Sequence, residues 1–155
     1  MIDWQPLLAF LHIAAVVAWV GGMFFAHLCL RPVAAQQLAS PLRLPLMAGV
    51  FSRFFPWVWV SSLTILASGL AMMLRTGFAV APLRWHLMMG LGIVMTAIFS
   101  YIFFAPYARL KRGVARQDWP AAAAALNRIR SLVGVNLSLG YLTLSIAVLG
   151  RYLPD

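Results

Sequence analysis

Residues 5 to 31 read QPLLAFLHIAAVVAWVGGMFFAHLCLR, an apolar run long enough to cross a bilayer that carries two ionisable side chains, His12 and His27. A span needs about 20 apolar residues. The run fills a first span at 6–30, and three more of the same kind follow at 54–74, 85–107 and 132–151. Open sheets are excluded in lipid because their edges stay unsatisfied, and the runs lack the two-residue alternation of a barrel strand. The chain is therefore expected to be all-α: an integral membrane four-helix transmembrane bundle, a single transmembrane domain over 1–155.

Composition and charge placement sharpen this reading. At 63% hydrophobic and 10% charged residues, the chain is too apolar for a soluble domain. The net charge of +9 does not point to nucleic acid, because the basic residues sit between apolar runs rather than along one face. Nine of the 12 lie in the first and third connections: Arg31, Arg43, Arg53, Arg109, Lys111, Arg112, Arg116, Arg128 and Arg130. Such loops face the cytoplasm. The N- and C-termini are then expected in the periplasm of a bacterium, with the chain multi-pass in the inner (cytoplasmic) membrane. Asp3 stands where a signal peptide would be basic, so the first span is expected to stay in the mature chain. The single Cys29 reads as a small buried hydrophobe.

Of the two longer connections, the first is broken by Pro32, Pro41 and Pro45 and reads as loop with a short interfacial turn. The other begins with Asp118 as a helix cap, Pro120 in the first turn and five alanines. It predicts one helix that starts as an interfacial extension and runs into the fourth span.

An ionisable group inside a span costs about 2.5 kcal/mol or more unless the fold supplies a partner. His12 lies about 10 Å into the first span, and His86 opens the third span on the same, periplasmic side. That pairing suits a b-type haem between helices 1 and 3, with one axial nitrogen from each and Arg84 near the propionates. Val16, Trp19 and Met23 follow His12 at spacings of 4, 7 and 11 and share its face. The plainer alternative is that His12 bonds a neighbouring helix and Trp19 only packs. His27, near the cytoplasmic end, either sits at the interface or pairs with Asn136.

Methionines offer a rival chemistry. Met72 and Met73 close the second span while Met88 and Met89 open the third, so all four fall near the same surface as His86. Soft thioethers select Cu(I), although any one Met is ordinary filler of apolar space. Mixed haem ligation through Met88 or Met89 is a further variant. Ser61, Thr64 and Ser68 in the second span, and Asn136, Gly140, Thr143 and Ala147 in the fourth, read as close-packing faces, and a face such as that of Gly140 suits a homodimer. Trp57, Trp59, Trp85, Tyr107 and Tyr152 form the expected interfacial belt. The acids are only Asp3, Asp118 and Asp155, so hydrolysis by paired carboxylates and carboxylate-based proton coupling are set aside, and no phosphate loop is present. Redox chemistry would have to come from a bound cofactor.

LHIAAVVAWVGGMFF, RFFPWVWVS, WHLMMGLGIVM followed by FAPYARLKR, and LNRIRSLVGVNLSLGYLTL together resemble the CopD-like small bacterial inner-membrane proteins, a pattern related to the HemJ-type protoporphyrinogen oxidases. The resemblance implies a four-helix bundle, copper on the CopD side and haem b on the HemJ side, with His12 and His86 matching the histidines of the pattern. HemJ-type enzymes usually carry a Lys two residues after the third-span His, and this chain has Met88 there, which argues against porphyrinogen oxidation. The sequence is therefore read first as a haem b protein, a membrane oxidoreductase transferring electrons with a quinone, a porphyrin or an oxygen species. Besides membrane lipid, a redox partner protein would be its partner. The alternative is a copper-handling protein using His12, His86 and the methionines, and a structural or assembly subunit comes third.

Overall fold

A computed structural model describes residues 4–152, and every described element is helical. Asp3 and Asp155 lie outside the described residues. The elements are α1 (Gln5–Phe24), a π-helical turn (Phe25–Leu30), α2 (Arg31–Gln37), α3 (Ser40–Thr76), α4 (Leu83–Phe104), α5 (Pro106–Ala115) and α6 (Trp119–Leu149), with a final 3₁₀ turn. Four continuous helical segments among them are long and apolar enough to span a membrane: Gln5–Gln37, Ser40–Thr76, Leu83–Ala115 and Trp119–Leu149.

The first connection differs from the expected loop. Only Leu38 and Ala39 interrupt the helices there, because Pro41 occupies a first-turn position, where a missing N–H costs nothing, and Pro32 is taken up inside a continuous helical segment. Pro32 also explains the π turn before it. The ring cannot donate to the Leu28 carbonyl and would clash with it. The backbone widens instead, and Arg31 N–H bonds to Ala26, five residues back. Cys29 sits on this turn and is exposed rather than buried. α3 runs through Pro45 and Pro56 for 37 residues, about 56 Å. It outruns the hydrocarbon of a bilayer, so its first third serves a second purpose.

That purpose is a small core at the arginine-rich end. Leu44, Met47 and Phe51 of α3 are buried with Tyr107 and Leu110 of α5 and with Ala122, Leu126 and Ile129 of α6. Ala105, held out of helical geometry before Pro106, lets α5 turn off the axis of α4. Gln117, at φ 56°, reverses the chain, and Asp118 accepts a 3.0 Å bond from Ala121 N–H to start α6. One helix then continues from that cap to Leu149, as the sequence predicts.

Within the bundle α1 lies along α3 and α4 along α6. Phe55, Phe99, Phe103 and Tyr107 interlock in edge-to-face and tilted pairs, with Trp19 reaching in from α1. Large apolar side chains such as Phe10, Val17, Trp57 and Leu63 point outward, which suits lipid as the surrounding solvent. Gly140 is buried against Val20 and Met95. The face expected to suit a homodimer is thus used inside the bundle.

Candidate functional site

His12 sits on α1 with its ring against α3. Its Nδ1 lies 2.9 Å from Ser68 Oγ, and that hydroxyl is also within bonding distance of the Thr64 and Ile65 carbonyls one turn back. A serine hydroxyl has a single proton, and carbonyls only accept, so Ser68 spends that proton on its own helix. With that proton kept on its own helix, the His12 contact runs from Nδ1–H to Ser68 Oγ. That is the tautomer with a lone pair on Nε2, the atom a metal would take.

The imidazole opens into a cavity of about 520 Å³ bounded by α1, α3, α4 and α6. Its walls are almost wholly apolar. Five methionines line it: Met72 and Met73 from the end of α3, and Met88, Met89 and Met95 from α4. Glycines make the convergence possible. A Cβ at Gly69 would stand 3.3 Å from the Met89 methyl and 3.6 Å from His12 Cε1, so both side chains meet over that bare backbone. Gly140 does the same for α6, where a Cβ would meet Val20 at 3.2 Å and Met95 at 3.4 Å. Trp19, 2% exposed, closes the inner end.

The other residues singled out in the sequence fall elsewhere. His86 is exposed, its ring nitrogen 3.3 Å from the Pro82 carbonyl and its face near Phe78, outside the residues that line the cavity. Helical geometry accounts for this: Trp85, Met88, Met89 and Gly92 form the inward stripe at spacings of 3, 4 and 7, and residue 86 falls about 100° off it. Arg84 packs its stem on Gly150. His27 lies against Gly134, while Asn136 donates instead to the Met95 carbonyl at 3.2 Å, so the two do not pair. Sequence reasoning treated Ser68 as packing and passed over Met95. Both were within reach, since Ser68 is the polar residue on the α3 face that meets α1, and Met95 follows Met88 by seven residues.

The electrostatics favour a monovalent guest. Among the described residues Asp118 is the one acid, and it caps α6 at the far, arginine-rich end. No three His, Cys, Asp or Glu side chains come together among the described residues. A positively charged ion in the cavity would meet one neutral imidazole and thioethers, a soft and uncharged donor set.

Four spanning helices around a cavity within the membrane define a multi-pass helical membrane protein. The family model described as Copper resistance protein D, CopD, matches residues 48–149, and the chain belongs to that family. The matched stretch holds Ser68 and all five cavity methionines, whereas His12 precedes it. No curated protein and no solved structure matches the chain.

Proposed function

We propose that this protein handles copper as Cu(I), taking the ion into the bundle at His12 and the methionines around it for passage across the inner membrane. The observation that carries the reading is the convergence of an imidazole held by Ser68 and five thioethers in one cavity of a CopD-family chain. Cu(I) matches those donors in softness, and its single charge suits a site without carboxylates. Nε2 already holds its lone pair, so the ion displaces no proton from it. The arginine bias of the opposite end would put this cavity on the periplasmic side, where it meets copper from outside. His86 and Arg84, exposed or half-buried at the same end, then lie at the approach rather than in the site.

A second reading, haem b on His12 with electron transfer as the activity, is favoured by one observation: a volume of about 520 Å³ exceeds what a bare ion fills. A visible spectrum of purified protein separates the two. Cu(I) binding and uptake by proteoliposomes in a colourless preparation, both lost in His12→Ala, support copper handling. A Soret band that disappears in His12→Ala, with no copper uptake, supports haem.

A further inference from the structure

The end of the bundle opposite the His12 cavity holds cations without a counter-charge. His27 packs on Gly134, where a Cβ would stand 3.4 Å from the imidazole Cε1, and this contact joins the end of the first span to α6. Arg31 follows His27 by four residues and Arg130 precedes Gly134 by four, so each helix carries an arginine about one turn beyond that contact. Arg43 of α3 is the third member: Arg31 lies within electrostatic reach of both Arg130 and Arg43. Arg43 itself makes only long contacts, 3.5 Å to the Ala35 carbonyl and 3.4 Å to Ser40 Oγ, which leaves most of the N–H donors of its guanidinium free. Among the described residues Asp118 is the one acid, and it caps α6. None of the three guanidiniums therefore pairs with a carboxylate among the described residues.

We infer that Arg31, Arg43 and Arg130 form a binding site for the phosphodiester headgroup of an anionic phospholipid in the leaflet at the arginine-rich end. Like charges held together repel one another until an anion sits among them. A guanidinium fork matches phosphate oxygens in geometry as well as charge, and basic pockets between spanning helices are where such headgroups bind. Arg130 is exposed and Arg31 and Arg43 are half-buried, so a headgroup can reach all three. The depth fits as well. Arg31 lies 26 residues past Gln5, about 39 Å along a helix, and the hydrocarbon of a bilayer is about 30 Å thick. The side chains just inside it suit acyl chains: Phe25 and Leu28, on the π turn that precedes Arg31, are 58% and 53% exposed. A soluble anion would use the arginines alone, whereas a phospholipid uses the arginines and the apolar turn beneath them. The site lies apart from the His12 cavity and does not depend on copper.

The test titrates the full-length protein in neutral detergent with phosphatidylglycerol and, separately, with zwitterionic phosphatidylethanolamine of the same acyl chains, and counts bound lipid by native mass spectrometry. The wild type is expected to bind phosphatidylglycerol more tightly. An arginine near an anionic lipid surface contributes about fivefold in affinity. Arg31→Gln combined with Arg130→Gln is therefore expected to weaken phosphatidylglycerol binding about 25-fold, and Arg43→Gln alone about fivefold. Arg112→Gln combined with Arg116→Gln removes the same charge at the exposed end of α5 and is expected to leave binding within about twofold of wild type. Melting without lipid reports that each variant is folded. Equal binding of the two lipids by the wild type, or an equal loss in the two double variants, would overturn the site. Displacement of phosphatidylglycerol by an equal concentration of inorganic phosphate would also overturn it, in favour of a site for a soluble anion.

Discussion

Ser68 is the residue on which the chemistry of His12 depends. Its hydroxyl lies 2.9 Å from His12 Nδ1 and holds the ring against α3. Ser68→Ala removes that acceptor and frees the ring to turn. Losing an orienting partner of a ligating His commonly lowers metal affinity 10–100-fold. The expected outcome is a loss of about that size in Cu(I) affinity, read by competition with a chromogenic chelator, with little change in the melting profile. At this scale the sequence was partly legible. An imidazole inside a span announces itself by its cost, so His12 stood out, and the adjacent pairs Met72–Met73 and Met88–Met89 marked the surface where the cavity opens. His86 was paired with His12 because both fall on the periplasmic side, but sharing an end of the bundle does not put two side chains in one cavity. Two residues apart on a helix means nearly opposite faces, so His86 and Met88 do not share a direction.

At the scale of elements, the bundle is tuned by close approaches that only glycine permits. α5 and α6 touch at Gly113, where a Cβ would stand 2.9 Å from the Ala122 Cβ and 3.0 Å from its backbone nitrogen. Backbone cannot yield as a side-chain tip does. Gly113→Ala is therefore expected to cost about 1–3 kcal/mol, seen as a lower melting temperature in detergent, while Cu(I) affinity at the distant His12 cavity holds. The elements themselves were legible where periodicity and caps agree, as in α6 with its Asp118 cap and Pro120. They were less legible over residues 31–53, where three prolines read as breakers. Pro41 sits in a first turn, Pro32 is absorbed by the π turn before it, and Pro45 lies within a long α3 that has its own apolar partners in α5 and α6. Those partners are distant in sequence, and no local pattern announces them.

For the whole molecule, the two ends are chemically opposite. One gathers His12, His86 and four of the cavity methionines, whereas the other gathers eight of the eleven arginines, with Arg43 and Arg130 within electrostatic reach of Arg31. This asymmetry predicts orientation. Reporters fused near Arg112 are expected to signal a cytoplasmic location and those after Tyr152 a periplasmic one, and the reverse pattern would place the cavity mouth on the cytoplasmic side. Fold class was legible from the four apolar runs because lipid leaves so few alternatives. The cavity was not, since it depends on which faces of α1, α3, α4 and α6 meet. The most direct test of copper handling is anaerobic Cu(I) uptake by proteoliposomes holding the wild-type protein, His12→Ala, or Leu at Met72, Met73, Met88 and Met89 together. Copper handling through this cavity predicts saturable uptake by the wild type and a loss of about tenfold or more in each variant. Equal uptake by all three, or none above empty vesicles, would contradict it.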